Sequence, residues 1–139
     1  MLAAIRLRGR VGVRKEIQDT LKLLGLRKKF SCCVVPEEKT YLGMLKKAKD
    51  YITYGEIEKE TLKELIEKRF KRTPTNLRKI GNAKSPEEIL NKVLQEKISL
   101  HFSLHPPKGG LKSIKLGYKQ GGDLGYRGKA INELIKRML

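Results

Sequence analysis

The chain has 139 residues, 39% of them hydrophobic and 34% charged, with 32 Lys and Arg against 15 Asp and Glu. This length suits one domain with a real core, and apolar clusters recurring between glycines and charged stretches exclude a disordered chain. A net charge of +17 repels itself in a compact fold unless a polyanion neutralises it, so nucleic acid is the expected partner.

The excess is uneven. Residues 1–30 hold nine Lys/Arg and two Asp/Glu, residues 31–70 eight of each, and residues 71–139 fifteen against five, giving +7, 0 and +10. The two cysteines, Cys32 and Cys33, are adjacent in an apolar run. They cannot form the spaced chelate of a zinc site and read as core residues of a reduced, intracellular protein. No apolar run approaches the roughly 20 residues of a membrane span. Met1 to Ala4 leads into a basic strand instead of a signal peptide, so a cytoplasmic location is expected.

In chain order, Ala3, Ile5 and Leu7 alternate with Arg6 and Arg8, the pattern of a strand. Val13, Ile17, Leu21 and Leu24 follow at helical spacing, and Gly25-Leu26 reads as a left-handed helix stop. Phe30-Ser31-Cys32-Cys33-Val34-Val35, closed by Pro36, is a strand buried centrally or on both faces. Tyr41, Leu42, Leu45 and Ala48 mark a short helix, and Tyr51-Ile52-Thr53-Tyr54-Gly55 a third strand. Leu62, Leu65, Ile66 and Phe70 mark a third helix, with Thr61 and Glu64 spaced as a capping box.

This order predicts an α+β fold: a ferredoxin-like split α/β core, with parallel strands joined by crossover helices that stack on one face of a small sheet. Thr73-Pro74-Thr75-Asn76 is a break, and Ser85-Pro86-Glu87-Glu88 starts a helix whose buried face is Ile89, Leu90, Val93 and Leu94. Residues 98–104 suggest a further strand stopped by Pro106-Pro107. Residues 108–128 contain seven glycines and cannot bury a core alone. Ile131, Leu134, Ile135 and Met138 form a closing helix that must dock on something. The division expected is a core over 1–70 and an extension over 71–139 packed on it.

The candidate nucleic-acid contacts follow the basic turns. Arg6, Arg8, Arg10, Arg14 and Lys15 surround a strand-to-helix turn with Gly9 and Gly12, where backbone N–H groups and bidentate guanidinium contacts suit phosphate. The turn lacks both the dinucleotide and P-loop glycine patterns. Gly9-Arg10-Val11-Gly12 matches the KH module's loop, but a strand precedes it where that module has a helix. Arg27, Lys28 and Lys29 follow the first helix, and Arg69, Lys71 and Arg72 the third. Each set alone is explained as well by complementing a helix dipole as by phosphate; together with the first turn and the Gly-rich segment they favour phosphate contact. Lys108, Lys112, Lys115 and Lys119 line the Gly-rich loop, with Tyr118 beside Lys119 and Tyr126 beside Arg127 placed for base stacking or for packing on the closing helix. Neither His101 nor His105 has a carboxylate or Cys partner nearby in sequence. No catalytic, metal or cofactor site is therefore expected.

Ile5-Arg6-Leu7-Arg8-Gly9 with Gly12, Leu26-Arg27, Tyr51-Ile52-Thr53-Tyr54-Gly55 and Leu65-Ile66-Glu67-Lys68-Arg69 resemble the large-subunit ribosomal protein of the L-thirty family, whose eukaryotic member is called L-seven. The likeness continues through Phe102-Ser103-Leu104, Pro107-Lys108-Gly109-Gly110, Gly121-Gly122-Asp123 and Ile131-Asn132-Glu133-Leu134-Ile135, over nearly the whole chain. The archaeal type fits better, because the chain starts at the first strand without a long basic tail. Residues 72–85 depart from the eukaryotic pattern and are shorter. The resemblance implies a noncatalytic constituent of the large ribosomal subunit, in the cytoplasm. It implies as partners the large-subunit ribosomal RNA, the small RNA of that subunit and neighbouring ribosomal proteins, with no membrane and no small-molecule substrate. A free RNA-binding regulator or assembly factor is the alternative; an RNA-processing enzyme using His101 or His105 is a remote one.

Overall fold

The computed structural model describes residues 1–9, 11–69, 88, 90–91, 94–95, 100–111, 113 and 115–139. Strand β1 (Leu2–Arg6) is buried along its whole length, and its small Ala3 and Ala4 let layers close on both faces. Among the described residues it is the middle of a five-stranded sheet ordered β4-β2-β1-β3-β5. It runs antiparallel to β2 (Ser31–Val35), with Ile5 opposite Cys32, and to β3 (Ile52–Glu56), with Arg6 opposite Ile52. Outside these, β4 (Leu100–Ser103) pairs antiparallel with β2 and β5 (Gly125–Tyr126) parallel with β3.

The expectation of parallel strands joined by crossover helices is corrected in its detail. β2 and β3 do run parallel, joined by the crossover helix α2 (Lys39–Lys47), but β1 is inserted between them, antiparallel to both. This is the split arrangement of the ferredoxin-like class. The first helix, α1 (Lys15–Leu23), does not carry the chain across the sheet. It returns to the end it left, so that the Phe30 N–H donates to the Arg6 carbonyl at 2.7 Å and β2 starts beside the place where β1 stops.

Alternation along the strands makes two cores. Leu2, Ala4, Cys33, Val35, Ile52 and Tyr54 pack with Leu21, Leu24 and Leu26 around α1 and with Leu45 and Ala48 around α2. Ala3, Ile5, Leu7, Cys32 and Val34 pack on the opposite face, against α3 (Lys59–Arg69) and α4 (Ala130–Met138) through Leu62, Leu65, Ile66, Ile131, Leu134 and Ile135. The expected placement of all core helices on one face is therefore corrected: α1 and α2 share a face and α3 covers the other. A strand apolar on both sides, as β1 and β2 are, leaves large apolar area in water unless both faces are covered.

α1 ends as its sequence predicts. Gly25 takes φ +79°, its N–H reaches the Lys22 carbonyl at 3.0 Å, and that of Leu26 reaches Leu21 at 2.8 Å, the paired bonds of a Schellman stop. The capping box expected at Thr61 is corrected, because α3 already begins at Lys59. The Glu58 N–H is satisfied instead from a distance, by Asn132 Oδ1 at 2.8 Å. The closing helix docks as required, and Glu88, Leu90, Asn91, Leu94 and Gln95 are helical, with Leu90 against the second core. The Thr73–Asn76 break, Ser85, Pro86, Glu87, Ile89, Val93 and Ile98 lie outside the described residues.

The Gly-rich stretch is more structured than its composition suggests. Tyr118–Gln120 forms a 3-10 turn, Tyr118 and Leu124 join by a 2.7 Å backbone bond, and Gly122 bonds Gly117 at 2.9 Å. A tight arch results, and β5 ties it to the sheet edge.

Candidate nucleic-acid interface

Strand register sorts the charges. The end of β1, the start of β2, the start of β3, the start of β5 and the end of β4 all lie at one end of the sheet. The turn after β1 carries Arg8, Arg14 and Lys15; the turn before β2 carries Arg27, Lys28 and Lys29; the arch before β5 carries Lys115 and Lys119. Apart from half-buried Arg8, all of these are exposed. α2 ends toward the same side, adding exposed Lys46, Lys47 and Lys49. At the opposite end stand Glu37 and Glu38 after β2, Glu56 at the end of β3, and Glu58 and Glu60 beyond it, accompanied by Lys39, Lys59 and Lys129. A fold with one strongly basic end focuses positive potential there.

Two candidate contacts are corrected. Arg6 is 3% exposed, and its guanidinium donates to the carbonyls of Leu26 at 2.8 Å, Arg8 at 2.9 Å, and Arg27 and Gly9 at 3.3 Å. Its fork fastens the two basic turns to each other instead of facing outward. Arg127 is likewise turned inward. Its side chain pairs with buried Asp123 at 3.1 Å, donates to the Asp123 carbonyl at 2.7 Å and reaches Thr53 Oγ1 at 2.7 Å. Both positions lie where a loop returns to the sheet, so donors there satisfy backbone carbonyls that would otherwise be buried unpaired.

Lys108 is exposed, its N–H on the Arg137 carbonyl at the end of α4. Arg10, Lys71, Arg72 and Lys112 lie outside the described residues, and of Arg69 the structure gives the position at the end of α3. His101 serves the fold. Its Nε2 lies 3.0 Å from the Leu24 carbonyl, where its N–H form donates, and the ring lies where a side chain on Gly25 would project.

Beside the basic turns lies an open cleft of about 620 Å³, lined among others by Arg8, Tyr51, Tyr54, Lys119 and Tyr126. Arg8 stacks over the Tyr51 ring at 5.1 Å and Arg127 over the Tyr118 ring at 4.9 Å, both favourable cation–π distances. Tyr54 and Tyr126 are tilted against each other, 5.5 Å between ring centres. The Tyr126 hydroxyl donates to Glu56. That carboxylate holds the phenol's pKa above its usual value, and burial does the same for Tyr54; both rings stay neutral near pH 7.

Sequence reasoning missed Lys46, Lys47, Lys49, Tyr51 and Tyr54 as members of this surface. Residues 31–70 have balanced charge, and the balance hides a polarity that appears once α2 and β3 are placed. The signal that could have found it is local: the lysines cluster after Leu45, whereas Glu37 and Glu38 precede the helix.

Residues 2–52 match the family described as ribosomal protein L30p/L7e. The chain is 45% identical to the large ribosomal subunit protein uL30 of Staphylothermus marinus, an alignment covering 100% of this chain and 98% of that one. It is 44% identical to the uL30 protein of Methanococcus vannielii, over 99% and 98% of the two chains, and 41% identical to that of Korarchaeum cryptofilum, over 100% and 95%. Identity at this level across both full lengths, with a mixed sheet built on β1 to β3, means that the chain belongs to the L30p/L7e family of ribosomal proteins.

Proposed function

We propose that this protein is a structural, noncatalytic constituent of the large ribosomal subunit, in the cytoplasm, and that its basic end binds ribosomal RNA of that subunit. The observation that carries the RNA-binding part is the gathering of Arg8, Arg14, Lys15, Arg27, Lys28, Lys29, Lys46, Lys47, Lys49, Lys115 and Lys119 at one end of the sheet, with five glutamates at the other. Opposed charge orients the protein in the field of a polyanion, and each Lys or Arg that meets a phosphate releases counterions. Residues 1–70 act as the RNA-binding core. Residues 71–139 act as an extension, whose Gly-rich arch offers Lys108, Lys115 and Lys119 to RNA and reaches neighbouring RNA or ribosomal proteins.

Sedimentation of cell extract in moderately high salt, with the fractions blotted for this chain, tests the role. Stoichiometric presence in mature large subunits is expected. Presence only in precursor particles or free fractions would replace it with an assembly factor or a free RNA-binding regulator.

A further inference from the structure

The cleft beside the basic end differs from the basic turns in being aromatic. Tyr118 and Tyr126 are 42% and 45% exposed, unusually open for rings, yet both are fixed. Tyr118 stands between two clefts and is backed in one of them by Arg127, which Asp123 and Thr53 lock. Tyr126 is held at its hydroxyl by Glu56 and at its ring by Tyr54. The glycines at 121 and 125, with φ +86° and +81°, form the tight turn that lets the arch present these rings. A fixed aromatic ring loses little conformational entropy when something stacks on it.

Cations flank the rings. Arg8, Lys49, Lys115 and Lys119 line the cleft, with Asp50 as the one carboxylate among the described lining residues. We propose that this cleft takes up one unpaired nucleotide of the bound RNA, its base against the Tyr118 and Tyr126 rings and its phosphate toward Arg8, Lys115 and Lys119. Asp50 repels the phosphate and accepts from N–H donors on the edge of the base, which sets the nucleotide's direction. The cleft's volume falls within the range of small-ligand sites. Duplex RNA keeps its base faces stacked inside the helix, so an aromatic platform selects a single-stranded loop, bulge or end.

The inference rests on the RNA-binding reading, and its test separates the two. The full chain is titrated with single-stranded oligoadenylate and oligouridylate hexamers and with a blunt RNA duplex, using tyrosine emission and electrophoretic shift. The chain has no Trp, so its aromatic emission comes chiefly from tyrosine. Wild type is expected to lose emission on binding the hexamers and not on binding the duplex. Tyr118→Ala and Tyr126→Ala should weaken hexamer binding by roughly 5- to 150-fold per stacked base, leave duplex affinity unchanged, and be rescued by Tyr118→Phe and Tyr126→Phe. Thermal melts identify any variant that fails to fold, and the single variants Tyr118→Phe and Tyr126→Phe then carry the test, each expected to keep hexamer affinity by electrophoretic shift while losing the part of the quenching that came from the replaced ring. Duplex binding with no selective loss for the hexamers overturns the nucleotide cleft and leaves the basic end standing. Failure of the Tyr→Ala variants to bind a ribosomal protein, with hexamer binding intact, overturns it in favour of a protein partner. Absence of binding to any RNA removes both readings.

Discussion

Arg6 Nη1 donates to the carbonyl oxygen of Leu26 at 2.8 Å, across twenty positions of chain, and so ties the end of β1 to the place where α1 returns. The same guanidinium holds the carbonyls of Arg8 and Gly9. Removing it takes the donor from the buried Leu26 carbonyl and from three part-buried ones, and Arg6→Ala should cost about 3 kcal/mol in urea unfolding. Arg8, whose charge lies over Tyr51 and faces the cleft, should cost under about 1 kcal/mol when changed to Ala. Equal losses for the two would contradict the division into a fastening arginine and a binding one.

Asn132 joins the opposite end. Oδ1 accepts from the Glu58 N–H at 2.8 Å, and Nδ2 donates to the Glu56 carbonyl at 3.1 Å and that of Lys129 at 2.9 Å. Asn132→Ala is expected to lower stability by about 2–3 kcal/mol, because buried backbone groups lose their partners. Hydrogen exchange should show the first turn of α3 opening more readily in this variant.

Two glycines should respond in opposite ways. A Cβ on Gly55 would stand 2.0 Å from the Gly128 carbonyl oxygen, a backbone atom, whereas one on Gly43 meets nothing within 4 Å. Gly55→Ala must push the loop before α4 off the sheet and should destabilise by more than about 2 kcal/mol. Gly43→Ala, inside α2, should stabilise by roughly 0.5–1 kcal/mol through lower chain entropy in the unfolded state. Calorimetric melting of both variants reads the two signs directly.

The cysteine thiols are sealed in the sheet. Burial pushes the Cys33 thiol from 9.0 up to about 12 and raises that of Cys32 well above its usual value. A folded pKa above the unfolded one favours the native state fully below pH 9, and the contribution is lost as pH rises from 9 toward 12. An aromatic disulfide reagent at about pH 8 should therefore find neither thiol in the native protein and both in urea. Fast reaction of the folded chain would mean that β2 is exposed.

The charge polarity should be visible in salt titrations of RNA binding. Removing a single phosphate contact flattens the slope of log affinity against log salt by about one unit. Arg14→Ala, Lys28→Ala and Lys29→Ala should each do so, as should Lys46→Ala and Lys47→Ala. Lys39→Ala and Lys59→Ala, at the glutamate end, should leave the slope unchanged; a flattened slope there would remove the basic end as the RNA surface.

The sequence by itself determined the elements of the core and the class of partner to expect. Val13, Ile17, Leu21 and Leu24 announce α1 and Gly25 its end, Cys32 to Val35 read as a strand buried centrally or on both faces, and a charge of +17 points to a polyanion. Local periodicity and composition are enough for such statements, because they follow from which side chains must leave water and which charges must be neutralised. Tertiary structure decided the rest. Arg6 and Arg8 are two residues apart in one alternating run and look alike in sequence, but one meets the returning α1 and disappears inside while the other, just past the strand, lines a cleft. Strand β5 is two residues long, and one of them is a glycine at positive φ, so no alternation could announce it. The lysines at the end of α2 and the glutamates before it cancel when counted, and separate when a crossover helix carries the chain from one end of the sheet to the other. Pattern along the chain reports burial and period; which charges share a surface depends on contacts between residues far apart in sequence.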